Sequence, residues 1–169
     1  MSTTIQPEGW AKPRGYSNGI VAEGRVLFIA GQVGWDPRSE TPKFPATFAA
    51  QFEQALANVV AVLKAAGGRP EQLARLTIYV TDKRAYLSSL KECGAAWRKH
   101  VGTHYPAMAL VQVAGLVEDA ALLEIEATAV LGSSSTNAAE AGMKTPHEDA
   151  DLLPLRGEGL RGSHHLHPP

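Results

Sequence analysis

Apolar residues change their spacing several times along this chain, and each change marks an element. Ile20-Val-Ala and Val26-Leu-Phe-Ile-Ala are short β-rich runs joined across Glu23-Gly24, which is a hairpin signal. From Thr47 to Ala66 the apolar positions Phe48, Phe52, Leu56, Val59 and Leu63 recur at the spacing of one helix face. Thr47 stands where an N-cap belongs, and Gly67-Gly68 with Pro70 ends the helix. Leu76-Thr-Ile-Tyr-Val is a strand closed by Thr81-Asp82. A second helix runs from about Tyr86 to Val101, with Tyr86, Leu90, Cys93, Trp97 and Val101 on one stripe, and Gly102 stops it. Two strands, Met108 to Val113 and Leu123 onward, complete the domain near Leu131.

The predicted order is β-β-α-β-α-β-β, an α+β fold with one sheet and both helices on one face. The other face must be solvated or covered. Val26 to Ala30 and Met108 to Val113 are apolar on both sides, so burial by a partner subunit is expected.

Beyond Leu131 the periodicity stops, and Gly132-Ser-Ser-Ser-Thr-Asn gives way to mixed charge, glycine and proline. Residues 132–169 therefore read as a disordered tail, 15–131 as the folded domain and 1–14 as an N-terminal extension. The histidines near the end of the tail define no metal geometry. A length of 169 residues suits one domain with an appendage, and a formal net charge of -1 lacks the basic footprint of a nucleic-acid binder. No apolar run is long enough to span a bilayer, and the first residues lack the features of a signal peptide. With Cys93 alone no intrachain disulfide can form, so a cytoplasmic location is expected.

Several chemistries find no motif. There is no P-loop, dinucleotide fingerprint, zinc-ligand pair or Gly-x-Ser-x-Gly elbow. His100 and His104 are separated by the helix breaker Gly102 and read as surface or loop residues rather than ligands, so no metal is expected. Cys93 reads as a small buried hydrophobe. Glu124 and Glu126 share one face of an apolar strand, where two carboxylates repel unless one is wet, paired or protonated. Glu124 is either a proton acceptor for a bound water or an ordinary ion-paired acid. Gln32, in Gly31-Gln-Val-Gly, either orients a ligand or closes a turn. Tyr16, in the loop Gly15-Tyr-Ser-Asn-Gly, carries a hydroxyl free to meet a ligand.

Gly15-Tyr-Ser-Asn-Gly, Phe28-Ile-Ala-Gly-Gln-Val-Gly, Gln54-Ala-Leu-Ala-Asn-Val, Ala65-Ala-Gly-Gly, Val80-Thr-Asp, Tyr105-Pro-Ala and Glu124-Ile-Glu-Ala-Thr-Ala-Val together resemble the RidA (YjgF) family. The resemblance covers roughly Gly15 to Leu131 and implies a chorismate-mutase-like subunit. It further implies a homotrimer whose sheets line a central barrel, with active sites in the clefts between subunits. Family members hydrolyse reactive imines and enamines without a cofactor. The resemblance makes Glu124 the acid that positions water, and Tyr16, Gly31, Gln32, Ala107 and Met108 the substrate-binding residues. Two positions depart from the family: Ala30 replaces a serine, and Met108 replaces the arginine that grips the substrate carboxylate. A thioether cannot supply a bidentate cation, so the expected substrate is an imine or enamine other than a simple amino-acid-derived imino acid. Arg14 and Arg98 are the candidates for a displaced anion contact. The alternative is a non-catalytic trimer that binds a small ligand or a protein. A ribonuclease label carried by some relatives finds no support in charge or in a histidine pair.

Overall fold

The computed structural model describes residues 2–41 and 43–132, so the tail expected over 132–169 lies, Gly132 apart, outside the described residues. The first strand, β1 (Ser2–Ile5), falls in the segment read as an extension. It is followed by β2 (Gly19–Ala22), β3 (Arg25–Val33), α1 (Phe48–Ala65), β4 (Leu73–Val80), α2 (Lys83–Ser88), α3 (Leu90–His100), β5 (Ala107–Gln112) and β6 (Leu123–Leu131).

Helix α1 begins and ends for local reasons. The Thr47 side chain accepts from the Ala50 N–H at 3.3 Å, satisfying one of the unpaired donors of the first turn. At the other end Gly68 N–H donates to Leu63 O and Gly67 N–H to Lys64 O, each at 2.9 Å. Gly67 takes the left-handed φ of 76° that this double closure needs. The single second helix expected from the apolar stripe is instead two. Asp82 caps α2 by accepting from Arg84 N–H at 2.8 Å, and the chain breaks at Ser89 before α3. Serine hydroxyls compete for backbone partners, and that of Ser88 bonds to Ala85 O. The break takes Leu90 off the stripe, leaving it 50% exposed, while Cys93, Trp97 and Val101 stay in the core.

The strand arrangement also departs from a single sheet. β2 pairs with β1 in a separate antiparallel ribbon, so the expected hairpin pairing of β2 with β3 does not form. The main sheet has four strands in the order β3-β6-β4-β5. β4 and β5 run parallel, as a helical crossover requires, and β6 inserts antiparallel between β3 and β4. Alternation assigns the faces. Leu123, Ile125, Ala127 and Ala129 of β6 point into the core with Leu76, Ile78 and Val80 of β4 and the apolar stripe of α1. The opposite face is open and carries Glu124, Glu126, Thr77, Tyr79, Val26 and Phe28, the last 79% exposed. No helix among the described residues is long and apolar enough to cross a membrane.

Two buried amides on α1 set the ends of the strands. Gln51 Nε2 donates to Pro45 O at 2.9 Å and to Ala120 O at 3.0 Å, while its Oε1 accepts from Leu122 N–H at 2.8 Å. Asn58 Nδ2 donates to Val33 O at 3.2 Å and Trp35 O at 2.9 Å. The helix thus holds the exit of β3 and the entry of β6 in one frame. A Gln51→Leu change keeps the volume but strands these three backbone partners. It is expected to lower the unfolding free energy by about 2–4 kcal/mol in a denaturant titration, well beyond an ordinary polar-to-apolar change.

Candidate active site

The acidic part of the site is built where β3 and β6 meet. Their register shifts between Ile29 and Gln32, so β3 bulges at Ala30-Gly31 and swings toward β6. Glu124, half-buried on the open face, lies against that bulge. A Cβ built on Gly31 would overlap the Glu124 carboxylate, so glycine is what lets the acid lie across the strand. Gln32 closes the bulge, its Nε2 donating to Ala30 O at 3.1 Å; its Oε1 remains available as an acceptor.

The two acids of β6 have different surroundings. Glu126 accepts a hydrogen bond from the Tyr79 hydroxyl at 3.0 Å. That bond, with desolvation, raises the Tyr79 pKa and keeps the phenol protonated. Glu124 has no such donor, and none of the ion pairs among the described residues involves it. Its carboxylate is therefore the one with lone pairs to spare.

A second group of residues gathers where the N-terminal loop meets β5. Ser17 forms an isolated parallel bridge with Ala107, its N–H donates to Pro106 O at 3.0 Å and its hydroxyl to Tyr105 O at 2.5 Å. This stitching brings Tyr16 beside Ala107 and Met108 around a pocket of about 220 Å³, which Ser17, Asn18, Arg75 and Ala109 complete. Met108 pairs in register with core Leu76, so its side chain faces the helices and packs against the core. There it borders an apolar cavity of about 190 Å³ with Phe52, Tyr86, Cys93, Trp97 and Tyr105. The rings of Trp97 and Tyr105 stack with centroids 5.8 Å apart.

One chain does not bring the two groups together. Glu124 is level with Tyr79 and, through it, with Val111, four residues along β5 from Ala107. With strands about 4.8 Å apart and about 3.3 Å per residue, the two groups stand about 16 Å from each other. A small substrate cannot touch both within a single subunit.

The other residues singled out from the sequence have structural surroundings. Cys93 is buried and its thiol is pushed up to about 11, chiefly by desolvation. The rings of His100 and His104 face different partners, Glu53 Oε1 at 3.4 Å and Leu73 O at 2.7 Å. Among the described residues no three His, Cys, Asp or Glu side chains are grouped to hold a metal ion.

Residues 10–131 match the family model described as Endoribonuclease L-PSP, the family also called YjgF or RidA. The chain belongs to this family. It is 34% identical over 131 residues to the 2-iminobutanoate/2-iminopropanoate deaminase of Escherichia coli strain K12, covering 77% of this chain and 98% of that protein. Among solved structures, the Rid family protein YyfB from Yersinia pestis superposes with a TM-score of 0.67 at 34% identity, over 77% of this chain and 98% of that one. TdcF of Escherichia coli, solved with bound serine, gives 0.57 at 32% identity, over 77% and 99%. The family fold is thus the α+β fold expected from the motifs.

Sequence reasoning overlooked Arg75. The candidate cations Arg14 and Arg98 line neither of these two concavities, whereas Arg75 lines the one beside Tyr16. The signal was the interval Leu73–Leu76: two core leucines three apart in a strand imply an extra residue between them.

The close fit of Gly31 to Glu124 is testable by a double-mutant cycle. Gly31→Ala is expected to destabilise the chain by about 1–3 kcal/mol through overpacking. In a Glu124→Ala background the same change should cost less by about 0.5–3 kcal/mol. Additive effects in thermal or denaturant unfolding would mean that the two residues do not press on each other.

Proposed function

We propose that this chain is a cofactor-independent hydrolytic deaminase of a reactive enamine or imine, working as a cytoplasmic homotrimer with its sites in the clefts between subunits. The observation that carries this reading is the uncommitted Glu124 carboxylate seated on Gly31, in a chain about one-third identical to a named imine deaminase. The separation of the Glu124 group from the Tyr16–Ala107–Met108 group supports the oligomer, since a neighbouring subunit would complete each half. So does the open sheet face, whose exposed Phe28, Val26 and Val111 call for cover.

A protonated imine is already electrophilic, so the protein has mainly to orient water and substrate. Glu124 accepts a proton from the attacking water as its oxygen bonds to the C=N carbon. Glu124 then returns that proton to the nitrogen, and the carbinolamine expels ammonia as its hydroxyl gives up a proton to the carboxylate and becomes the carbonyl of the product. Gln32 Oε1 or the carbonyl of Ala107 holds the substrate N–H, and Tyr16 packs alongside. Met108 and the aromatic-walled cavity beside it suit an apolar portion of the substrate. A thioether at this position points away from simple amino-acid-derived imino acids bound in the family's usual mode. It is also the observation that favours the second reading, a trimeric binding module that has lost the chemistry.

The test is ammonia release over a panel of freshly generated imines and enamines: amino-acid-derived, neutral, and with a carboxylate remote from the nitrogen. The unsubstituted chain is expected to accelerate a member other than the simple imino acids. Glu124→Gln should cut that rate about 100-fold or more with ligand binding retained. Acceleration confined to simple imino acids would overturn the specificity. No acceleration anywhere would leave the binding module.

A further inference from the structure

Arg75 stands on the open face because of an irregularity in β4. The pairing of β4 with β6 shifts register between Leu73 and Arg75. Leu73 and Leu76 are both buried in the core although they are three residues apart, which strict alternation forbids. The inserted residue reverses the alternation and turns position 75 away from the core, onto the face of Thr77 and Tyr79. Bulges recur where a side chain is re-aimed, and here the re-aimed side chain is a guanidinium.

Its surroundings are those of an anion site. Arg75 sits where the pocket of about 220 Å³ beside Tyr16 and Met108 meets a larger basin of about 450 Å³. Among the described residues no other lysine, arginine or histidine lines either concavity. The ion pairs among the described residues join Arg38 to Asp36 and Lys99 and His100 to Glu53, leaving Arg75 out. The basin also holds Thr77, 6% exposed, whose Oγ1 is shut off from the open space beside the Tyr79 hydroxyl. Thr128, level with Arg75 on β6, adds a second hydroxyl. The one acid in the basin, Glu126, already accepts from Tyr79.

We infer that Arg75 is the anion-binding residue of this protein, gripping an organic carboxylate where the Tyr16–Met108 pocket meets the larger basin, with hydroxyl support from Thr128. The inference rests on the deaminase reading for its substrate class: the imine or enamine carries a carboxylate, held from β4 rather than from position 108 of β5. The planar fork of arginine suits a carboxylate in two-point contact, which a lysine matches in charge but not in geometry.

The test compares the full chain with Arg75→Met and Arg75→Lys by titration calorimetry. The probes are 2-oxobutanoate and benzoate, each against a neutral twin, the methyl ester and benzamide. Far-ultraviolet circular dichroism verifies that the exposed substitutions leave the fold intact. Arg75→Met is expected to weaken binding of at least one carboxylate about tenfold or more without changing its neutral twin, and Arg75→Lys to recover part of the loss. In turnover the loss should fall on KM for carboxylate-bearing substrates more than on kcat. Equal carboxylate affinity in Arg75→Met, or no carboxylate binding by the unsubstituted chain, overturns the inference. Ammonia release that is unaffected by Arg75→Met overturns it while leaving the deaminase standing. Carboxylate binding that depends on Arg75 in a chain that releases no ammonia sustains it and removes the deaminase.

Discussion

Helix α1 does more than cover the sheet: through two buried side-chain amides it decides where β3 ends and where β6 begins. Gln51 spans Pro45, Ala120 and Leu122, while Asn58 takes the carbonyls of Val33 and Trp35. Backbone groups at the mouth of a sheet need partners as soon as they leave water, and here one helix provides them for two strands. The fit is close enough that a Cβ on Gly34 would overlap Gln51. Because Gly31 lies just before the Asn58 contacts and Glu124 just after the Gln51 contacts, the meeting of acid and bulge depends on this frame.

Two register shifts then distribute chemistry over the open face. The one in β3 brings Gly31 against Glu124, and the one in β4 turns Arg75 outward. Neither could be absorbed inside a regular ladder without moving core residues to the wrong side. The same face divides labour between two carboxylates that local sequence makes equivalent. Tyr79, across the ladder from Glu124 in register, spends its hydroxyl on Glu126 and leaves Glu124 without a partner among the described residues. In the proposed reading the acid without a partner acts on a ligand, whereas its neighbour is tied into the sheet.

The helix-facing side carries a different message. Met108, which by position belongs with Tyr16 and Ala107, sends its side chain toward Phe52, Trp97 and Tyr105. Edge strand β5 therefore separates an apolar cavity on one side from a polar pocket on the other. The proposed anion contact lies on the open face, whereas the apolar cavity beside Met108 opens on the helix side. The proposed trimer would supply what one subunit lacks, because the Glu124 group and the Tyr16 group lie too far apart within a chain to share a small ligand.

Much of this was legible in one dimension. The apolar period and caps of α1, the Phe28 to Val33 run and the alternating β6 are local patterns, and local sterics and burial enforce them wherever the strands pair. The family followed from short motifs in fixed order. The pairing of β2 was not legible, because a hairpin turn states only that two runs are near, and Ser2–Ile5 competed for the same edge. The break at Ser89 depends on how two half-helices dock, which a single apolar stripe conceals. Above all, the sequence by itself determined which residues carry charge and which bury, whereas only the tertiary structure decided which face each charge occupies. A one-residue shift in register costs nothing in composition yet reverses every side chain that follows, and that is how Arg75 came to share a pocket with Tyr16.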